Sequence, residues 1–181
     1  MKKSLIATLV VVTASAFAEE VPHCLPHANV SASEGQPYAG EQTRVVRSLS
    51  DDDARALRSG AGMGLARPAE LNHYPGPKHV IDLASELELS EQQLTATRSA
   101  FDTMKEEAVR LGNEIVAEEA ALDRLFTSGN ATDDAVAKAT ASVAALQGRL
   151  RATHLRAHLR MRAIMKPEQI AKYDTLRGYG R

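Results

Sequence analysis

Tryptophan is absent from this 181-residue chain, and only four tyrosines and three phenylalanines are present. A core must therefore be built from Leu, Val, Ile and Ala, which is thin burial for an isolated monomer and favours oligomerisation. The single cysteine, Cys24, excludes an internal disulfide. In an oxidising compartment it is an intermolecular bridge, a metal ligand or a spare thiol. Neither sign of charge dominates, with 22 basic against 23 acidic residues, which argues against a nucleic-acid binder. No phosphate-binding Gly-Lys-Ser/Thr loop occurs, and Gly60, Gly62 and Gly64 follow no strand pattern, so they read as a joint rather than a phosphate cradle. No nucleophile, base and orienting group can be assembled, so the chain does not read as an enzyme, and no cofactor is required. Strand alternation is missing throughout, which leaves an all-α chain.

Residues 1–18 read as a signal peptide. Lys2 and Lys3 precede the apolar run Leu5 to Val12, and Ala16-Phe17-Ala18 is a small-x-small cleavage site. The run is shorter than the roughly 20 residues that span a bilayer. Cleavage after Ala18 removes two lysines, lowering the basic count from 22 to 20 against 23 acids, and a bacterial periplasm is the expected destination of the mature chain. Residues 19–48 are irregular, with Pro22, Pro26, Gly35, Pro37 and Gly40 and no sustained period.

A helical domain is expected over residues 49–178. Ser50 ahead of Asp51, Asp52 and Asp53 starts a short helix that ends near Gly60. Pro68, Pro75 and Pro77 hold the following stretch in turns, and Pro77 opens a helix to about Leu87. Ser90 and Gln93 then form a capping box. Beyond it Leu94, Phe101, Ala108, Ile115 and Leu122 recur every seven residues. Thr97, Met104, Leu111 and Leu125 fill the companion positions, with Glu118 the exception. Such a helix is on the order of 50 Å long. Ser128-Gly129-Asn130 makes a turn, Thr132 caps a return helix, and Val136, Val143, Leu150, Ala157 and Ile164 continue the seam antiparallel. Pro167 starts a last helix reaching about Leu176, and Gly178 and Gly180 leave a loose tail.

Leu89-Ser-Glu-Gln-Gln93 and Met165-Lys-Pro-Glu-Gln169 are two near-copies of one helix-start box bracketing the hairpin. In an exported helical chain this arrangement resembles the Spy/CpxP family of periplasmic stress proteins, named for a repeated L-T-x-x-Q motif. That family is related to heavy-metal sensors and resistance proteins of the CnrX and ZraP type. The first copy has Ser for Thr; the second has Met165 for Leu and Lys166 for the capping Thr, keeping Pro-Glu-Gln. The segment from Gly62 to Asn72, followed by Tyr74-Pro-Gly-Pro77 and His79, is similar to the metal-resistance branch. The resemblance spans roughly residues 50 to 178. It implies a cradle-shaped antiparallel homodimer of four- or five-helix subunits. Such a protein either holds unfolded clients without ATP, as a chaperone or envelope-stress adaptor, or reports metal or stress to a membrane signalling partner.

Three groups of residues could carry that work. His154, His158, Met161 and Met165 fall within an arc of roughly 60° on the return helix. An i, i+4 imidazole pair chelates a divalent ion and thioethers favour copper, so Zn, Ni, Co or Cu would suit the face. The expected hairpin register sets Glu106 and Glu107 level with His154. The plainer reading is that Met161 packs the seam and the histidines are half-exposed edge residues. His23, Cys24 and His27 form a second candidate ligand set, or a tail whose cysteine merely crosslinks. The third group is arginine. Arg149, Arg156, Arg160 and Arg162 stand on a stretch without acids; they line a basic client-binding face, or are solvated partners of the glutamates opposite.

Overall fold

Hydroxyl caps open three of the six α-helices. The computed structural model describes residues 37–179, and no strand occurs among them. After a 3-10 turn at Glu41–Thr43 come α1 (Asp51–Arg58), α2 (Arg67–Glu70), α3 (Pro77–Asp82), α4 (Glu91–Thr127), α5 (Asp133–Ile164) and α6 (Pro167–Leu176). Ser50 Oγ accepts from Asp53 N at 3.0 Å, Ser90 Oγ from Gln93 N at 3.2 Å, and Thr132 Oγ1 from Ala135 N at 3.3 Å. Each hydroxyl satisfies one backbone donor that a helix start leaves free. Lys166 has no acceptor to offer, so at α6 the glutamine alone closes the box, through Gln169 Oε1 accepting from Lys166 N at 2.9 Å.

The 37 residues of α4 make a rod about 55 Å long. It ends in a Schellman closure: Gly129 at φ +71° lets Asn130 N reach Leu125 O and Gly129 N reach Phe126 O, both at 3.1 Å. The chain thereby reverses into α5, and the expected antiparallel hairpin forms. Two segments differ from the sequence expectation. α3 ends at Asp82, and a looser turn carries the chain through Leu87 before Glu88 takes φ +51°. The proline-rich stretch also holds a one-turn helix, α2, which Pro68 starts from inside its first turn.

The hairpin's root is covered by the short helices. One apolar cluster joins Val46 and Leu57 to Ala108, Leu111, Ile115 and Val116 of α4 and to Leu146 and Leu150 of α5. Here α1 lies so close to α4 that a Cβ on Gly112 would stand 2.0 Å from the Leu57 carbonyl oxygen. A second cluster joins Val80 and Leu87 to Ala100, Met161, Met165, Ile170 and Tyr173. Between the two, α5 places His154 and His158 and α4 places Phe101, Met104 and Lys105.

Candidate functional site

The two boxes meet each other. Gln93 Oε1 accepts from Ser90 N at 3.1 Å, while its Nε2 donates to the Ile164 carbonyl at 3.0 Å and to Gln169 Oε1 at 2.8 Å. Gln169 answers in kind: its Nε2 donates to the Leu87 carbonyl at 3.2 Å and to Gln93 Oε1 at 3.1 Å. Each glutamine thus caps its own helix and holds the chain that leads into the other box. A shorter or charged side chain could not supply an acceptor inward and a donor across.

Beside this clamp, α2, the turn after it, α3, α6 and the C-terminal residues converge on one carboxylate. Glu70 keeps only 12% of its side chain exposed. Its Oε1 accepts from Tyr173 Oη at 2.5 Å and Tyr179 Oη at 3.3 Å, with His79 Nδ1 at 3.3 Å and Arg177 Nε at 3.7 Å. Burial, and then the bond to Glu70, push the Tyr173 phenol far above its ordinary range, so it stays a donor. The turn is pinned from both sides. His73, at φ +65°, holds Asp174 Oδ2 at 2.7 Å through Nδ1. Arg162 donates to the His73 carbonyl at 2.9 Å and stacks on Tyr74 at 4.9 Å from the ring centre. His158 Nδ1 donates to the Tyr74 carbonyl at 2.8 Å. His154 is 4% exposed, and burial, then His158 and Lys105, pull its pKa below the usual imidazole value. A cavity of about 560 Å³ reaches Glu70, His79, His154 and His158.

The model of the LTXXQ motif family, the family of Spy/CpxP-type periplasmic proteins, matches residues 76–177, more than half of the chain. The chain belongs to that family. No curated protein and no solved structure matches it. The family's matched region begins at Gly76 and so includes both boxes, α3 to α6 and both histidines, while α1 and Glu70 lie upstream of it.

Within this LTXXQ fold the residues singled out by sequence separate into distinct places. His154 and His158 are together and are both buried, at 4% and 8% exposure, rather than standing at a half-exposed edge. Met161 and Met165 pack in the second apolar cluster. Glu106 is exposed, and Glu107 binds Arg110 and lies 3.9 Å from Arg149. Lys105, not a glutamate, is the α4 charge acting on His154. The carboxylate that approaches His158 is Glu70, its Oε2 3.6 Å from Nδ1. Among the described residues no three His, Cys, Asp or Glu side chains converge as a metal-ligand group. His23, Cys24 and His27 lie outside the described residues. Arg156 and Arg160 are exposed with no carboxylate partner among the described residues, whereas Arg162 is engaged with the turn.

Sequence reasoning missed Glu70, Tyr173, Arg177 and Tyr179. A usable signal existed: three of only four tyrosines, Tyr74, Tyr173 and Tyr179, lie in the segments that meet at this site. The tail is also not loose through Tyr179. Gly178 at φ +73° closes α6 with Tyr179 N on Asp174 O at 2.8 Å, which delivers the phenol to Glu70.

Proposed function

We propose that this LTXXQ protein is a periplasmic, ATP-independent chaperone or envelope-stress adaptor that holds unfolded segments on the outer face of α5. The observation that carries this reading is Leu159, 57% exposed and flanked by Arg156 and Arg160 without acidic partners among the described residues. Residues three and four apart share a helix face, so the three side chains form one patch. An apolar side chain between arginine stems attracts unfolded chain while staying soluble. The described residues contain no helix long and apolar enough to cross a membrane. Diluting a denatured client into ATP-free, metal-free buffer with the protein should suppress light scattering. A Leu159→Ser, Arg156→Ser, Arg160→Ser variant should melt at the same temperature and lose most of that suppression; undiminished suppression would defeat the surface assignment.

A second reading is metal sensing at His154 and His158. It is favoured by the two imidazoles standing one helical turn apart on α5, His158 held through Nδ1 by the Tyr74 carbonyl and His154 buried with its Nε2 unpartnered among the described residues. Zn, Ni, Co and Cu uptake by the folded protein should then disappear on replacing both histidines with Ala. Unchanged uptake would remove this reading.

A further inference from the structure

Met63 and Leu71 are large apolar side chains left in water, at 44% and 56% exposure, and both line the cavity at the root of the hairpin. A single exposed leucine needs no explanation, but apolar side chains grouped around a cavity mark a binding surface. Phe101 and Met104 of α4 line the same space, so its wall is mainly aliphatic and thioether. Such side chains are supple and fit themselves to a flexible chain. The volume, about 560 Å³, falls within the roughly 300–1,000 Å³ typical of small-molecule sites.

The glycine joint brings charge to this wall. Gly60, at φ +59°, presses on α4, where a Cβ would stand 3.0 Å from Val109 N. Arg67 turns back over the far end of the joint. Its amide donates to the Gly64 carbonyl at 3.1 Å, and its guanidinium lies 3.4 Å from where a Gly64 Cβ would stand. Lys105 stands one helical turn from both Phe101 and Val109, on the stretch of α4 that the joint approaches.

Four lysine and arginine side chains line the cavity, against one carboxylate, Glu70. Glu70 is taken by the Tyr173 and Tyr179 phenols and has Arg177 at 3.7 Å, while Lys78 pairs with Asp82. Arg67 and Lys105 are left with no carboxylate partner among the described residues. Lys105 is half-buried, and its charge reaches the inner end of the cavity, where, after burial and His158, it helps hold the His154 pKa down. Two uncompensated cations beside an apolar wall call for an anion that carries a hydrocarbon chain.

We propose that this cavity binds a medium-chain aliphatic monocarboxylate, its head drawn to Arg67 and Lys105 and its chain laid along Met63, Leu71, Phe101 and Met104. Both cations suit a carboxylate, one as a planar fork and the other as a point charge. Neither Glu70 nor the two histidines have to touch the ligand. The site is separate from the client surface on α5.

Calorimetric titration of the purified protein with octanoate tests it, with octanol, octylammonium and acetate as comparisons. Octanoate should bind in a saturable manner and at least about tenfold more tightly than each of them, the size expected for losing a charge-assisted contact or the buried chain. Shortening it to hexanoate should weaken binding, by up to about fourfold per methylene. Arg67→Gln and Lys105→Gln lie outside both apolar clusters; each should weaken octanoate at least about fivefold, leave octanol unchanged and retain the fold by circular dichroism. Leu71→Ser, at a side chain already exposed, should weaken octanoate and octanol alike. Leu159→Ser, on the client patch, should alter neither. Absence of saturable heat, equal binding of octanol, undiminished binding to both charge variants, or a loss confined to Leu159→Ser would overturn the proposal. Sedimentation with phosphatidylglycerol vesicles that Lys105→Gln abolishes, with no heat from octanoate, would overturn it in favour of a lipid headgroup.

Discussion

The root and the tip of the hairpin carry the same heptad pattern and meet different fates. On α4 the buried residues run from Thr97 to Val116, and on α5 from Val143 to Met161. From residue 117 to residue 142 none is buried, and Leu122, Leu125 and Val136 are only half-covered, with Phe126 60% exposed. A heptad seam gives each helix one neighbour. Full burial needs a third layer, and α1, α3 and α6 supply it only at the root. The root also holds the cavity, the glutamine clamp and the buried histidines. The tip has its caps and its partial seam.

The comparison is sharpened most by removing the same side chain from each region. Leu111 is fully buried in the first apolar cluster, and Leu111→Ala should cost about 3 kcal/mol, read as a lower urea midpoint at unchanged slope. A loss under about 1 kcal/mol would mean that the root is as loosely packed as the tip.

Next in size is the clamp. Gln93→Ala and Gln169→Ala should each cost about 1–2 kcal/mol, since each frees backbone groups that are partly buried. Because the two amides bond each other, the double variant should cost less than the two single losses together. Strict additivity would show that each glutamine acts only as a local cap.

A smaller effect comes from pH. His154 is held below its ordinary pKa by burial, His158 and Lys105, so the unfolded chain takes up its proton before the folded one does. Stability is therefore full above pH about 6.5 and falls as pH drops below it, with a slope no steeper than about 1.4 kcal/mol per pH unit for one proton. His154→Leu should flatten that limb of the urea-midpoint profile. A profile unaltered by the substitution would place the sensitive group elsewhere.

What could be read from the sequence follows the range of the interaction responsible. Ser50, Ser90, Thr132 and Pro167 act within one helical turn, and every helix start they marked is where the structure has it. The seam was legible because Ala108, Ile115, Val143 and Leu150 repeat along one face. α2 was not, since a four-residue helix has no period to detect. The register of the hairpin was also hidden. Glu107 faces Arg149 rather than His154, because the match depends on how five turn residues are spent between Thr127 and Asp133. The Glu70 cluster joins residues about one hundred positions apart, as Tyr173 and Tyr179 show, and no local pattern carries such a contact.

The smallest expected effect is at the tip. Leu125→Ala removes a side chain that is already half in water, so in a lone hairpin it should cost under about 1 kcal/mol, against about 3 for Leu111→Ala. That small value is the expectation only if nothing covers the tip. A second copy laid across it, as in the cradle-shaped dimer that the family resemblance implies, would bury Leu122, Leu125 and Phe126 and make the same substitution expensive. The two cases separate by concentration. If the tip stays bare, the loss is the same at every protein concentration. If a partner covers it, the melting temperature of the unsubstituted protein rises with concentration, by mass action, and Leu125→Ala weakens that rise. Leu111→Ala, beneath the first apolar cluster of its own chain, should lower both melting curves alike.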